Sequence, residues 1–195
     1  MKRRLCLVVT LFARAHARPH ASATMQSSIL RTPAISLLRR LALPVGVGLL
    51  VGLIMAVLDL TLFRSGLPDS MLQMIHDQTI TQRLGRFLPM AALDEIIFRL
   101  VLVSAAVWIL RKFCPADVAW KISIAAIALA YIPLHPAYVQ SLGALTPLVV
   151  AREIIEHIGA GIVWGILFWK RGLAASMAGH MSAHVPIQLG WALLV

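Results

Sequence analysis

Asp94, Glu95, Arg99, His135, His180 and His184 are the side chains of this sequence whose types and spacings can do chemistry together. Glu95 and Arg99 are four residues apart, which on a helix puts them on one face within ion-pairing reach. Asp94 is turned away from Glu95 by one residue's rotation, so it can face a cavity while Glu95 pairs. His180 and His184 repeat the four-residue spacing and present two imidazoles on one face. That spacing suits a metal, although Met181 stands where the H-E-x-x-H zinc motif carries its glutamate. His135 lies between Pro133 and Pro136, whose missing N–H groups free backbone carbonyls beside it. Carboxylates near imidazoles can take a proton from water, and imidazole N–H groups can hold the oxyanion of an attacked carbonyl. Acid–base catalysis, metal binding and a proton relay are all open to these residue types.

The elements that must position these groups are hydrophobic. Leu84 to Leu110 is apolar enough to cross a bilayer, which takes about 20 residues, yet it contains Leu93-Asp94-Glu95-Ile96-Ile97-Phe98-Arg99. Each ionisable residue at the centre of such a helix costs about 2.5–3.5 kcal/mol on the insertion scale. An idle anchor would not carry three of them, so a buried polar site with partners on other segments is expected. Composition agrees: 59% of the 195 residues are hydrophobic and 13% charged, with a mean hydropathy of +0.84. Soluble domains run at about 45–50% and about 25%.

The expected fold is therefore all-α, a polytopic transmembrane helix bundle of about five spans over residues 41–195. The spans run from about Leu41 to Phe63, Phe87 to Leu110, Val118 to Leu134, Ala151 to Trp169 and Leu173 to Val195. Leu142 to Val150 is too short to cross alone, and either extends the fourth helix or re-enters the membrane. The formal net charge of +10 does not mark a nucleic-acid binder, because the basic residues cluster at the ends of apolar segments and in the N-terminal tail. Arg39-Arg40, Arg111-Lys112, Lys121 and Lys170-Arg171 fall on one side and residues 136–150 on the other carry no Lys or Arg, which favours a cytoplasmic N-terminus despite Arg64, Arg83 and Arg86. Residues 1–40 read as a basic tail. Lys2-Arg3-Arg4, the run from Leu5 to Ala13 and Ala15-His16-Ala17 imitate a cleavable signal, and Met25 offers an alternative start. Cys6 and Cys114 give neither a metal spacing nor a disulfide framework.

Depth brings the polar residues together. At a helical rise of about 1.5 Å per residue, Glu95 lies about 24 Å from Arg111 and His135 about 21 Å from Lys121. His157 and His184 lie about 20 Å from Lys170 and Arg171, with His180 one turn shallower. Polar residues of four spans thus share a layer. Outside that set, Glu153 and His157 are expected to pair along one face, beside Glu156. Gly161 and Gly165 form a small-xxx-small contact. Asp59 is expected at the membrane interface, with Trp108, Trp120 and Trp169 in the aromatic belt.

In order and spacing, Asp94-Glu95-x-x-x-Arg99, Tyr131-x-x-x-His135 and His180-x-x-x-His184 resemble the motifs of the CPBP family of intramembrane proteases. That family includes the type II CAAX prenyl endopeptidases and bacteriocin-processing relatives. Its pattern is E-E-x-x-x-R, F-x-x-x-H and H-x-x-x-N or H-x-x-x-D on separate helices, and the similarity covers residues from about Phe87 to Val195. The run from Gly161 through Trp169-Lys-Arg-Gly172 to His180 is similar to the family's approach to its last motif. Asp94 stands where the family has its first Glu, Tyr131 where it has Phe, and His184 where it has Asn or Asp.

The resemblance implies an endopeptidase acting on a membrane-bound peptide or protein, with membrane lipid as the other partner and no nucleic acid. It implies an integral protein of a bacterial cytoplasmic membrane. Asp94 or Glu95, with His135, would activate water; His180 and His184 would polarise the carbonyl; Arg99 would hold Glu95 and Tyr131 would support His135. A divalent metal such as zinc on Glu95, His135 and His180 is the alternative source of the nucleophile. Two other classes compete: a catalytically inactive scaffold or immunity-type protein that keeps the polar site, and a proton or ion conduit.

Overall fold

A computed structural model describes residues 33–194, and among these the secondary structure is helical with no strand. The longest uninterrupted apolar stretch becomes helix α1, Pro33–Leu60. Among the described residues its segment Arg39–Leu60 is the one helix that by length and composition is apolar enough to cross a membrane. A short amphipathic helix, α2 (Asp69–Asp77), follows a tight corner and buries Ile75. Helix α3 runs without a break over residues 80–110, as Ile80–Asp94, a π-helical stretch Glu95–Val103, and Ser104–Leu110. A capping box starts it: Thr79 Oγ1 accepts the Gln82 N–H at 3.3 Å while Gln82 Oε1 accepts the Thr79 N–H at 2.8 Å, leaving two end donors satisfied.

Helix α4 (Ala116–Ala130) ends at the Pro133 turn, and α5 (Pro136–Ser141) is a single short helix beyond it. Helix α6 covers residues 147–171, as Pro147–Glu153, a π-helical stretch Ile154–Ile158, and Gly159–Arg171. Gly172, at a φ of 87°, makes the turn into α7 (Leu173–Trp191), a conformation that favours glycine.

Close helix approach decides the packing. A Cβ placed on Gly48 would overlap the Gly179 carbonyl and Ser182 Oγ, and one on Gly52 would overlap the Ala183 carbonyl. Helix α1 therefore lies against α7 with the two chains running the same way, backbone to backbone. Contacts between Arg83 and Gln188, Phe87 and His184, and Glu95 and Ser176 show α3 running opposite to α7. Helices α4 and α6 are antiparallel, through Trp120–Trp169, Ile124–Gly165 and Ala128–Gly161. The Gly161/Gly165 contact expected from the sequence is this α4 seam. With these directions the ends carrying Arg39, Arg111, Lys121 and Lys170 fall on one side of the bundle.

Several boundaries move. The second long helix begins at Ile80 rather than Phe87, because the capping box rather than the hydropathy sets its start. Residues 147–150 extend the fourth long helix, capped by Thr146 Oγ1. Of the tail assigned to residues 1–40, residues 33–40 are helical and the remainder lies outside the described residues. An apolar core of Ile75, Trp164, Leu167, Ile187 and Trp191 joins α2, α6 and α7.

Candidate active site

Glu95 opens the π-helical stretch of α3, where the tight i→i+4 ladder gives way to longer steps. The Ser104 backbone N–H and its hydroxyl both turn back to the Arg99 carbonyl, the hydroxyl at 3.3 Å. Such stretches occur often at functional sites. Glu95 is fully buried. Its Oε1 accepts from His180 Nδ1 at 2.9 Å, its Oε2 lies 3.4 Å from Arg99 Nε, and Ser176 Oγ also donates to Oε2. Arg99 spends a further N–H on the Gly161 carbonyl at 2.9 Å. The expected Glu95–Arg99 pair is present, and its carboxylate is saturated by three neighbours.

Asp94 does face the cavity, as its one-residue rotation predicts. Tyr131 Oη donates to Asp94 Oδ2 at 2.9 Å, and His135 Nε2 stands 3.6 Å from Asp94 Oδ1. His135 Nδ1 lies 2.8 Å from the Tyr131 carbonyl. A carbonyl can only accept, so Nδ1 carries a proton and Nε2 is the nitrogen turned to Asp94. The Phe98 ring stacks on His135 with centroids 5.1 Å apart and so fixes its plane. At 3.6 Å the two atoms make no direct hydrogen bond, and a water bonded to both would sit beside the pair at about 2.8 Å from each.

His180 and His184 line the same cavity one helical turn apart, with ring centroids 5.4 Å from each other. Glu95 fixes His180 Nδ1 as the donor nitrogen, and Trp164 stacks on its ring at 5.5 Å. His184 stacks against Phe87 at 5.4 Å, and its buried Nδ1 has no hydrogen-bond partner. The cavity, about 560 Å³, also receives Met55, Met71, Met74 and Met90, an apolar and adaptable lining.

The structure brings Asp94, His135, His180 and His184 to one cavity and holds Glu95 just behind it. It does not bring together the three zinc ligands expected from the sequence. His135 sits on Asp94 and the Tyr131 carbonyl, while both Glu95 oxygens are taken by His180, Ser176 and Arg99. Among the described residues no three His, Cys, Asp or Glu side chains are placed to hold a metal. The donor set does not fit the ion.

A second polar cluster borders the cavity, and sequence reasoning largely missed it. Asp59 is buried, not interfacial: Arg152 binds both its oxygens, at 2.7 and 2.9 Å, and Trp191 Nε1 donates to Oδ2 at 2.7 Å. Burial succeeds because a guanidinium fork satisfies the carboxylate. Arg152 also reaches Glu153 Oε1 at 3.0 Å, and Tyr138 Oη donates to Glu153 at 2.9 Å. The expected Glu153–His157 pairing is present at 2.8 Å. Ionisable residues inside spans were the available signal for Asp59 and Arg152. For Ser176 the signal was its four-residue step to His180. Compared with protein-family models, curated proteins and solved structures, the chain matches none.

Proposed function

We propose that this chain is an intramembrane endopeptidase of the kind its motifs resemble, hydrolysing peptide bonds of membrane-bound substrates with a water activated by Asp94 and His135. The observation that carries this reading is His135 Nε2 and Asp94 Oδ1 standing 3.6 Å apart at the wall of a largely apolar cavity. A water beside the pair, hydrogen-bonded to Asp94 Oδ1 and to Nε2 of a neutral His135 ring, keeps a lone pair for a carbonyl carbon. As it attacks, its proton passes to the dyad. His180, in its protonated form, and His184 then donate N–H bonds to the oxyanion. The proton held by Asp94 and His135 then passes to the leaving amine, which restores the dyad. Glu95 acts through His180 as a positioning residue, and Arg99 holds Glu95.

The same proposal places the five long helices in a membrane, and the distribution of charge and apolar surface supports it. Seven ionisable side chains, Asp59, Arg83, Glu95, Arg99, Arg152, Glu153 and Glu156, are buried, while Leu50, Leu53, Ile54, Val101 and Ile109 face outward. Water-soluble domains arrange these classes the other way round. Lys112 Nζ sits 4.0 Å over the Trp108 ring and Lys170 Nζ 3.5 Å over Trp169, at one end of the bundle, as basic and aromatic residues do at a membrane surface.

The test is cleavage of a membrane-embedded peptide library by the purified protein in liposomes, beside Asp94→Asn and His135→Ala. Cleavage by the parent that both folded variants lose is the expected result. A folded parent that cleaves nothing across the library overturns the proposal.

A further inference from the structure

The second polar cluster has more acid than its bases satisfy. Asp59, Glu153 and Glu156 converge on a single guanidinium, Arg152, with His157 beside Glu153. Arg152 commits two of its N–H groups to Asp59 and one to Glu153. Glu156 receives what is left: its Oε2 lies 2.9 Å from Arg152 Nη2 but off the line of a hydrogen bond, and its Oε1 has no partner. Yet Glu156 is 1% exposed and forms part of the cavity wall. Asp59 stands against Glu156 as a second acid, so holding Glu156 ionised here costs free energy that a cationic ligand donor would recover.

Independent geometry marks the same place. Glu156 and His157 sit in the π-helical stretch Ile154–Ile158, and the other such stretch among the described residues carries Glu95 and Arg99. Tyr131, which binds Asp94, also stacks on His157 with centroids 5.7 Å apart. The water-activating pair and the spare carboxylate are therefore neighbours on one cavity.

We propose that Glu156 is the anchor of a cation subsite that takes a primary ammonium on an apolar stem, supplied by a lysine side chain of the substrate. The assignment of the ligand as substrate rests on the endopeptidase reading. A guanidinium is the poorer fit, because Glu156 Oε2 already lies 2.9 Å from Arg152 Nη2 and only Oε1 stands clear, which denies a second fork its bidentate partner. An ammonium is a compact charge that needs no bidentate partner. Its stem would lie along Met55 and Met71, and the Tyr138 and Trp191 rings on the cavity wall favour a cation over a neutral head.

Two measurements on the full-length protein in nanodiscs test this. In the first, n-hexylammonium and n-hexanol are titrated while tryptophan fluorescence is read, since Trp164 and Trp191 border the cavity. Saturable hexylammonium binding is expected, about tenfold or more tighter than hexanol and weakened about tenfold in Glu156→Gln, the range of a charged hydrogen bond. Equal binding of amine and alcohol by the parent, or no loss in a folded Glu156→Gln, overturns the subsite. In the second, matched peptides carrying lysine or norleucine near the scissile bond are compared for kcat/KM. Preference for lysine that vanishes in Glu156→Gln supports the subsite; cleavage indifferent to lysine overturns it and leaves the endopeptidase reading standing. Hexylammonium binding without any cleavage leaves the cation site and refutes the endopeptidase reading, together with the lysine as its source.

Discussion

Glu95→Gln removes one charge from a pair that has no water to replace it. Glu95 is 0% exposed and Arg99 3%, so the substitution leaves a buried guanidinium opposed only by the Gly161 carbonyl at 2.9 Å. Breaking a buried pair from one side costs about 3–5 kcal/mol. The lower end applies here, about 3 kcal/mol, because the glutamine oxygen still accepts one bond and Gly161 still holds the other end of Arg99. Adding Arg99→Met removes the orphaned charge. The double variant should then recover about 1–3 kcal/mol relative to Glu95→Gln alone, the cost of an unsatisfied buried donor.

Stability and activity should separate. Both variants lack the carboxylate that orients His180 through Nδ1, so cleavage should stay depressed by about 10²-fold in both, the scale of a lost oxyanion contact. The assay is equilibrium unfolding in mixed micelles for the two single variants, the double variant and the parent, paired with initial rates in liposomes. Additive costs, with the double variant as unstable as the sum of its singles, would refute the coupling. Recovery of activity along with stability would refute the positioning role of Glu95.

Three further outcomes are expected. His184→Ala should lower kcat about 10²-fold while His184→Asn, which keeps an N–H, retains most of the rate; equal losses in both remove His184 from the oxyanion. Activity should survive dialysis against a strong chelator, since Glu95, His135 and His180 do not converge, and loss restored by zinc alone would contradict that geometry. Gly165→Leu should destabilise by about 1–3 kcal/mol through overpacking, because a Cβ there already lies 2.5 Å from Ile124 Cγ2. Gly159→Ala, whose Cβ meets nothing within 4 Å, is its neutral control in the same thermal unfolding series.

Sequence patterning alone made the helical class legible, because apolar runs of this length have no other way to satisfy their backbone. It also made Glu95–Arg99, Glu153–His157 and the cavity-facing turn of Asp94 legible, since helical geometry is local and a spacing of four determines a shared face. The Gly161/Gly165 seam followed from residue size. The end of α4 at its prolines was readable for the same local reason, whereas the start of α3 at Thr79 lay in a polar stretch that hydropathy passes over.

Tertiary structure decided everything that depends on which helix faces which. Asp59 and Arg152 are 93 residues apart, and no periodicity in either segment announces that a guanidinium fork will bury that carboxylate. The partners of Glu95 were equally hidden: Ser176 and His180 reach it only because α7 runs antiparallel to α3. The turn after α4, packed beside α3, places His135 on Asp94 while His180 goes to Glu95, which dissolves the metal triad that residue types alone allowed. Residue type and spacing determine which chemistry is available on each helix; the crossing of the helices determines which of those groups can share one proton.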